Sequence, residues 1–397
     1  MIGWEPYFIA MVWTVFVFYT GSVGFWLFET LALARGWQAT DAERVWDLSD
    51  VQVRIVTIDA EAVVQGTVDA LPGDFTDAHV IAETPMDVQG AQVHVVPEDF
   101  ECEATHKGRA LEWARRNVAC DREYVLYLDE DTIVSEFEGL PDADVIQFTE
   151  LPLYTGSRLT YLTEVFRIGY QLEQRAFGRF RYPLYAWGGG IAIRQSLEET
   201  VTWDAATITE DTDFVWRAAA EVDLEFRVVD AKFRNQAPPS LRAMLSQRRR
   251  WMSGTRQSSD VLPTRYRGLL ATRVVAWGFS PLIPALSVVF FVFSPAFSNP
   301  VAYQVGSLAQ FGLLFVITGV GAYAYRRYSL LPVVSILATP LLVIANTAGA
   351  LWGVISPIEE FAVTEKVPPK RLERVHPELE PGAFEAHDVD DPFAVAD

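Results

Sequence analysis

Long apolar segments near both ends of the chain constrain its fold more than any other feature. The first, residues 7–34, carries a single charged residue, Glu29, and exceeds the roughly 20 residues that a helix needs to cross a bilayer. Three more apolar segments follow, at about residues 274–293, 301–325 and 330–355. The sequence therefore predicts four membrane-spanning helices, with a long and less apolar region between the first and the second.

The first apolar segment is predicted to be an anchor. It has neither a basic start nor an obvious small-residue cleavage site, which indicates an uncleaved anchor over residues 1–35 rather than a signal peptide. Arg35 and Arg44 follow it, and the positive-inside rule places the next region in the cytoplasm. The expected location is the cell (plasma) membrane, with several spans and a cytoplasmic central domain.

Basic residues beside the later apolar segments give conflicting signals about topology. Arg326 and Arg327 should lie inside the cell, and so should Lys366 and Lys370. A single simple span between these two groups cannot satisfy both demands. Either the last segment is re-entrant or split at Pro340, or one of the predicted spans is wrong.

Composition narrows the class of protein and its partners. The chain has 397 residues, enough for two or three units, and half of them are hydrophobic, as in a mixed membrane protein. A net charge of -20 with few lysines suggests the salt-rich cytoplasm of a halophile and argues against a nucleic acid partner. Cys102 and Cys120 lack Cys-x-x-Cys spacing, which indicates a reducing compartment and no structural metal site.

Between the apolar regions the pattern becomes that of a soluble α/β domain, over residues 48–235. The predicted elements are strands at 51–58, 78–82, 93–96 and 124–128, and a helix at 105–118. Strands that alternate with helices indicate a mostly parallel sheet, in which ligands gather at the carboxyl ends of the strands. Asp59, Glu83 and Asp129 each follow a predicted strand, so one ligand site at this edge is expected.

Three carboxylates end the strand at residues 124–128. Asp129, Glu130 and Asp131 would repel one another without a cation among them. In an extended backbone Asp129 and Asp131 point to the same side, and hard oxygen ligands of this kind suit Mg²⁺ or Mn²⁺. A solvated acidic loop at a strand end is the alternative.

Two predicted helix starts carry further candidates. Lys107 and Arg109 lie where free N–H groups and the helix dipole would suit a diphosphate, although a plain solvated helix start is the alternative. Glu210 and Asp211 begin a later helix, where a carboxylate could act as a general base. The alternative is that these acidic residues only complement the helix dipole.

A glycine run allows two interpretations, whereas a predicted helix before it is assigned to the core. Gly189 and Gly190 follow Gly188, and such a run lets the backbone approach a ligand closely or simply makes a tight turn. Residues 161–177 are predicted to form an amphipathic helix whose apolar side packs in the core.

A basic amphipathic helix is predicted at residues 241–252, in an interfacial region at 236–268. Its basic face includes Gln247, Arg250 and Trp251. The helix can lie flat on the membrane surface, and Arg250 can also reach a phosphate in an adjoining pocket.

The chain beyond this helix divides into three predicted parts. Residues 269–356 form the second membrane region, and residues 357–372 follow it as a short connecting segment. The tail at 373–397 is acidic and contains proline, so it is expected to be mobile.

Taken in order, these motifs resemble those of a membrane-bound family 2 glycosyltransferase with a GT-A fold. The family pattern is Asp-x-Asp, Thr-Glu-Asp and Gln-x-x-Arg-Trp, followed by membrane spans, and it stands here at residues 129–131, 209–211 and 247–251. Phe-x-Val-Thr-x-Lys at 361–366 resembles the gating loop of cellulose-synthase-like enzymes. Leu-Asp-Glu-Asp-Thr at 128–132 resembles the Leu-Asp-Glu-Glu-Thr of egghead-type β-1,4-mannosyltransferases, with aspartate in place of their second glutamate.

The resemblance implies that a sugar moves, with inversion, from a UDP- or GDP-linked donor to an acceptor. Asp211, with Glu210 beside it, is then the catalytic base that takes the proton of the acceptor hydroxyl. Asp131, with Asp129, would hold Mg²⁺ or Mn²⁺, which neutralises the departing diphosphate.

The resemblance also implies a set of substrate-binding residues. Thr57 and Glu83 would contact the nucleoside, Gln247 and Arg250 the diphosphate, and Trp251 would line the acceptor entrance. The full set is Thr57, Glu83, Lys107, Arg109, Asp129, Gly189, Gly190, Gln247, Arg250, Trp251, Thr364 and Lys366. Thr364 and Lys366, with Phe361, would close over the donor and exclude water.

The expected partners are a nucleotide diphosphate sugar, a lipid or glycan acceptor and membrane lipids. Few spans are visible, so transfer of one hexose to a lipid or lipid-linked glycan is favoured over a processive polysaccharide synthase. A catalytically inactive, membrane-anchored nucleotide-binding scaffold is the other alternative. A transporter is disfavoured because the apolar segments carry almost no charge apart from Glu29.

Overall fold

The computed structural model describes most of the chain outside the acidic tail. The described residues are 4–34, 44–134, 139–283, 285, 300–324, 330–358, 364, 366–368 and 372. Phe361, the Arg326–Arg327 pair and the predicted mobile tail at residues 373–397 therefore lie outside the described residues.

Two sheets contain the strands of the described residues. The strands are β1 (Arg44–Trp46), β2 (Val51–Thr57), β3 (Ala78–Ala82), β4 (Gln92–Val95), β5 (Tyr124–Asp129), β6 (Ile133–Val134), β7 (Leu140–Pro141), β8 (Val145–Leu153), β9 (Gly190–Arg194) and β10 (Phe226–Gln236). The main sheet has the order β4-β3-β2-β5-β9-β8-β10-β6, and β1 pairs with β7 in a small second sheet.

The main sheet brings the predicted strand ends together. Six of its eight strands run in one direction, and β6 and β9 run against them. Val56 of β2 lies opposite Asp129 of β5, and Thr57 lies opposite Ala82 of β3. Thr57, Asp129 and Glu83, the residue after β3, therefore share one edge of the sheet. The predicted α/β class with a mostly parallel sheet is confirmed.

Helices lie between the strands along the chain, and further helices precede the first strand and follow the last one. Those of the described residues are α1 (Glu5–Phe28), α2 (Glu61–Asp69), α3 (Lys107–Asn117), α4 (Arg158–Ile168), α5 (Gln195–Val201), α6 (Glu210–Glu221), α7 (Leu241–Gln257), α8 (Thr264–Phe279), α9 (Pro300–Ala324) and α10 (Leu331–Ile355). Helix α7 begins where the Ser240 hydroxyl caps it by accepting a hydrogen bond from the Ala243 N–H. A π-helical turn, Glu29–Leu33, extends α1.

The extent predicted for the helix at residues 161–177 is wrong. Helix α4 begins at Arg158 and ends at Ile168, and a 3₁₀ segment, Gln171–Arg179, follows it. Helix α4 is largely buried, and α9 packs against it. Periodicity in the sequence does not predict this contact, because the two helices are far apart along the chain.

Three helices in the described part of the chain are long and apolar enough to cross a membrane, namely Glu5–Leu33, α9 and α10. Helix α10 continues through Pro340, so a split at this proline, one of the two alternatives for the topology, does not occur. Of the predicted span at 274–293, only residues 274–283 and 285 are described, and they form the end of α8, a turn and a few helical residues after it. Lys366 contacts Asp131, which places the chain after α10 beside the α/β domain.

Glycines let the α/β domain and the apolar helices approach backbone to backbone. A Cβ atom on Gly321 of α9 would lie 2.0 Å from the carbonyl oxygen of Val165 in α4. A Cβ atom on Gly169 would lie 2.1 Å from the carbonyl oxygen of Ile317. Real Cβ atoms cannot approach that closely, so these two glycines are required for the crossing of α4 and α9.

Replacing Gly321 with alanine should therefore destabilise the protein by about 1–3 kcal/mol, because the added methyl group forces α4 and α9 apart. Gly312 on the same helix is the matched control, since nothing lies within 4 Å of a Cβ placed there. We expect the thermal unfolding midpoint in detergent to fall for Gly321→Ala and to stay level or rise for Gly312→Ala. Equal midpoints for the two variants would contradict the close crossing.

Candidate active site

Residues 129–131, called here the acidic turn, are bound to Gly189, the residue before β9. The Asp129 N–H and the Thr132 hydroxyl both donate to the carbonyl oxygen of Gly189, at 2.8 and 2.9 Å. A Cβ atom on Gly189 would lie 1.7 Å from the amide nitrogen of Asn235. Gly189 thus has a packing role at the site, beside the predicted approach to a ligand, and only glycine fits this position.

Two lysines supply the positive charge that the acidic turn requires. Lys107 Nζ lies 2.8 Å from Asp129 Oδ1 and 3.4 Å from Asp211 Oδ2. Lys366 Nζ lies 2.6 Å from Asp131 Oδ1. Burial by itself would raise the pKa of Asp129, but Lys107 and Lys366 outweigh it and hold that pKa below its usual value. The Asp129 carboxylate is therefore ionised at neutral pH.

The pKa of Glu130, the middle acidic residue, is shifted in the opposite direction from that of Asp129. The Thr57 hydroxyl donates to Glu130 Oε2 at 2.6 Å, and the Thr67 hydroxyl donates to the Glu130 carbonyl oxygen at 2.6 Å. Burial raises the pKa of Glu130. Thr57 therefore anchors the acidic turn, a role that the sequence did not indicate alongside its predicted contact with the nucleoside.

Asp211 has the environment of a general base. It lies in the first turn of α6, and its Oδ1 is buried without a hydrogen-bond partner among the residues that the structure describes. Burial, reinforced by repulsion from Glu210 and Asp129, outweighs the attraction of Lys107 and raises the pKa of Asp211 to about 7. A carboxylate with an unengaged oxygen and a pKa near neutrality can accept a proton under physiological conditions.

Helix α7 reaches this site through another glycine. A Cβ atom on Gly254 would lie 2.4 Å from the methyl group of Thr209, the residue before α6. The contact sets α7, which carries Gln247, Arg250 and Trp251, directly against the start of the Asp211 helix. The Thr-Glu-Asp and Gln-x-x-Arg-Trp motifs are thereby adjacent, although about 40 residues separate them along the chain.

A single cavity of about 660 Å³ collects nearly all of the predicted site residues. Of these, the cavity is lined by Thr57, Glu83, Lys107, Asp129, Asp131, Gly189, Glu210, Asp211, Gln247, Arg250, Trp251, Thr364 and Lys366. Asp131, Asp211 and Arg250 thus line one cavity.

Two predicted substrate-binding residues lie outside the lining of this cavity. Arg109 instead forms an ion pair with Glu83, Nη1 to Oε2 at 2.6 Å, and donates to the Phe100 carbonyl oxygen at 3.3 Å. Gly190 is pressed against the ring of Phe233, which would lie 2.5 Å from an added Cβ. Arg109 therefore acts on the cavity through Glu83, and Gly190 serves the packing of β9.

The far end of the cavity lies among the apolar helices. Trp26 of α1, Trp277 of α8 and Leu314 of α9 line it there. The family resemblance assigns Trp251 to the acceptor entrance. No motif indicates that α1 lines the same cavity, so the sequence does not predict this contact.

Glu29, the lone charge of the first apolar segment, is paired. Its Oε2 lies 2.7 Å from Arg273 Nη1, and Arg273 also binds Glu173, which accepts a hydrogen bond from the Tyr185 hydroxyl. This charge network joins the end of α1 to α8 and to the 3₁₀ segment. Glu29 therefore has a structural explanation that requires no transport function.

The described lining of the cavity is acidic. Its carboxylates belong to Glu83, Asp129, Glu130, Asp131, Glu150, Glu164, Glu173, Glu210 and Asp211. Its cations belong to Lys107, Arg167, Arg250, Arg273 and Lys366. A diphosphate would add negative charge to a lining in which carboxylates already outnumber cations, so its binding calls for additional positive charge.

A divalent ion fits this requirement. Asp129 and Asp131 offer the hard oxygen ligands that Mg²⁺ and Mn²⁺ prefer. Within the described ranges, no three His, Cys, Asp or Glu side chains form a metal-binding group. An ion held here would take its remaining ligands from the diphosphate and water, which is the usual arrangement for Mg²⁺.

Comparison with known proteins places the chain in a family. Residues 124–345, more than half of the chain, match the model of the family described as glycosyl transferase family group 2. The β-1,4-mannosyltransferase egh of Drosophila melanogaster is 24% identical over 301 residues, which cover 68% of this chain and 66% of that protein. The chain thus spans slightly less than two thirds of the length of this relative.

Matches among solved structures are more distant in sequence. A mannosyltransferase from Pyrobaculum calidifontis, in complex with GDP-Man and Mn²⁺, is 14% identical with a TM-score of 0.45, covering 85% of this chain and 99% of that chain. Glucosyl-3-phosphoglycerate synthase from Mycobacterium tuberculosis, in complex with Mn²⁺, UDP and glucosyl-3-phosphoglycerate, is 15% identical with a TM-score of 0.35. It covers 58% of this chain and 85% of that chain.

The family match agrees with the sheet and with the order of the motifs. The predictions of a family 2 glycosyltransferase and of a mostly parallel α/β domain are confirmed. The chain, with its acidic turn, its Thr-Glu-Asp helix and its Gln-x-x-Arg-Trp helix around one cavity, belongs to glycosyl transferase family group 2.

Proposed function

We propose that this glycosyltransferase moves a hexose, with inversion, from a UDP- or GDP-linked sugar to a lipid or lipid-linked glycan acceptor. The observation that carries the proposal is the shared cavity, in which Asp131, Asp211 and Arg250 lie with the apolar helices at the other end. A donor with a diphosphate and an acceptor with an apolar part both have matching walls in this one space.

Each chemical requirement of the transfer has a side chain assigned to it. Asp211 takes the proton from the acceptor hydroxyl as that oxygen attacks the anomeric carbon of the donor. Arg250 and Gln247 bind the diphosphate, which takes the electron pair of its bond to the sugar and so gains a negative charge as that bond breaks. Lys107 holds Asp129 and Asp211 in place, and Trp251 lines the acceptor side of the cavity.

Asp131 and Asp129 would hold Mg²⁺ or Mn²⁺. The ion supplies positive charge to the leaving diphosphate when it is bound. Lys366 forms an ion pair with Asp131. When the donor and the metal ion bind, this lysine is proposed to leave Asp131 and to move toward the phosphates.

The proposed acceptor and location rest on the apolar helices. Large apolar side chains such as Val305 and Val316 of α9 and Leu337 and Ile355 of α10 are exposed, as lipid-facing residues would be. We place the enzyme in the plasma membrane, with the catalytic domain in the cytoplasm, where soluble nucleotide sugars are available.

A panel assay tests the proposed function. The purified protein in detergent is given UDP- and GDP-linked hexoses, with Mg²⁺ or Mn²⁺ and membrane lipid extract, and both nucleoside diphosphate release and lipid-linked product are measured. We expect one donor to give a product that carries one added sugar. Absence of turnover with every donor would contradict the proposal, and a ladder of lengthening products would favour the processive alternative.

The pKa of Asp211 predicts a pH dependence. Below about pH 7 the carboxyl group holds a proton and cannot accept one from the acceptor hydroxyl, so kcat/KM should rise as the pH increases through about 7. The profile is measured at saturating metal between about pH 5 and 9. A rate that is flat across the acidic half of this range would exclude Asp211, with this pKa, as the base.

A further inference from the structure

Two tryptophans of the cavity wall share one arginine. The guanidinium carbon of Arg167, in α4, lies 4.5 Å from the ring centroid of Trp187 and 5.3 Å from that of Trp251. A second guanidinium, that of Arg248, lies 4.3 Å from the Trp251 ring centroid. Arg167 and both tryptophans line the cavity, whereas Arg248 is fully buried behind it.

Two glutamates fix these arginines. Arg167 Nη2 lies 2.7 Å from Glu150 Oε2, and Arg167 Nε lies 2.6 Å from Glu164 Oε2, so its planar fork is bound on both sides. Glu164 also binds Arg248. Burial by itself would raise the pKa of Glu164, but Arg248 and Arg167 outweigh it and lower that pKa. Two cations and two anions therefore balance in this network.

The network also holds other parts of the wall. The Trp187 indole N–H donates to Glu150 Oε2 at 2.7 Å. Arg248 donates to the side-chain oxygens of Gln247, at 2.8 Å, and of Asn346 in α10, at 3.2 Å. A chain of contacts thus runs from an apolar helix, through Arg248, to Gln247 of the Gln-x-x-Arg-Trp motif.

We propose that Arg167 and Arg248 are positioning residues that hold Trp251 and Trp187 as a rigid wall at the acceptor side of the reaction centre. The inference rests on the proposed function, because it assigns the acceptor to this side of the cavity. Neither arginine touches the reacting atoms. Both act through the indoles, and only the planar guanidinium can stack on an indole while two carboxylates hold its edge.

Arg167→Lys keeps the charge but loses the fork and the stacking surface. It should raise KM for the acceptor about tenfold, as expected for a buried cation–π contact, and change KM for the donor much less. Arg175→Lys is the matched control, because Arg175 lies in the 3₁₀ segment after α4, outside the cavity lining, and its Nη2 is 4.0 Å from Asp230 Oδ1. It should behave as the wild type.

A double-mutant cycle decides whether Arg167 acts through Trp251. If it does, Arg167→Lys raises the acceptor KM of a Trp251→Ala variant only slightly. The change in the double variant is then smaller than the sum of the two single changes in free energy. Fully additive effects would overturn the inference. If Arg167→Lys does not fold, Glu150→Gln replaces it in the cycle with the same two outcomes. A wild-type enzyme without transfer would instead refute the proposed function, which separates the two failures.

Discussion

Asp211→Asn should reduce sugar transfer by a factor of about 10² to 10⁴ while donor binding persists, because it removes the group that accepts the proton. Asparagine has nearly the shape of aspartate but cannot act as a base. The unengaged Oδ1 and the pKa near 7 single out this carboxylate among the acidic residues of the cavity. The measurement is kcat for transfer, together with donor affinity by titration calorimetry.

Glu221→Gln, at the exposed end of the same helix, is the control for Asp211→Asn and should retain full activity. The comparison also separates the enzyme from the alternative of a membrane-anchored nucleotide-binding scaffold. A scaffold would tolerate both substitutions equally. An Asp211→Asn variant that still transfers sugar at the wild-type rate would show that the proton leaves by another route.

Asp131→Asn is expected to have the second largest effect, a loss of about a hundredfold or more in kcat/KM. The Asp131 side chain is almost completely buried, and it accepts hydrogen bonds from Lys366 and from the Gln236 N–H, at 2.6 and 3.0 Å. Removing its charge leaves the Lys366 ammonium without its partner and takes a proposed ligand from the metal ion.

Metal titration checks this second prediction. The Asp131→Asn variant should need a higher concentration of Mn²⁺ or Mg²⁺ for half-maximal rate. Removal of the metal ion with a chelator should abolish sugar transfer by the wild type. Asp230→Asn is the control, because the Asp230 side chain is exposed. An unchanged metal requirement in Asp131→Asn would place the ion elsewhere or remove it from the reaction.

Much of the fold could be predicted because local patterns decide it. The buried strands β2 and β5 are nearly continuous apolar runs, and the acidic turn follows β5 directly. The end of α4 at Ile168 is not predicted by periodicity, and neither is the contact of the next residue, Gly169, with the backbone of α9. Periodicity carries no information about such contacts between distant helices.

The candidate site divides in the same way. The sequence predicts motif residues such as Asp211 and Arg250 because their order along the chain is typical of a family. Arg167 and Trp187 were missed, since an arginine within an amphipathic helix gives no sign that it will stack on two indoles. The resemblance predicts that Lys366 closes over the donor, but its ion pair with Asp131 follows only from the folded structure.

A structure of the protein with its nucleotide sugar and Mn²⁺ is the most direct test of the shared cavity as the place of transfer. The diphosphate should lie between Asp131 and Arg250, with the sugar turned toward Asp211. A nucleotide bound on any other surface, with this cavity left empty, would contradict the account.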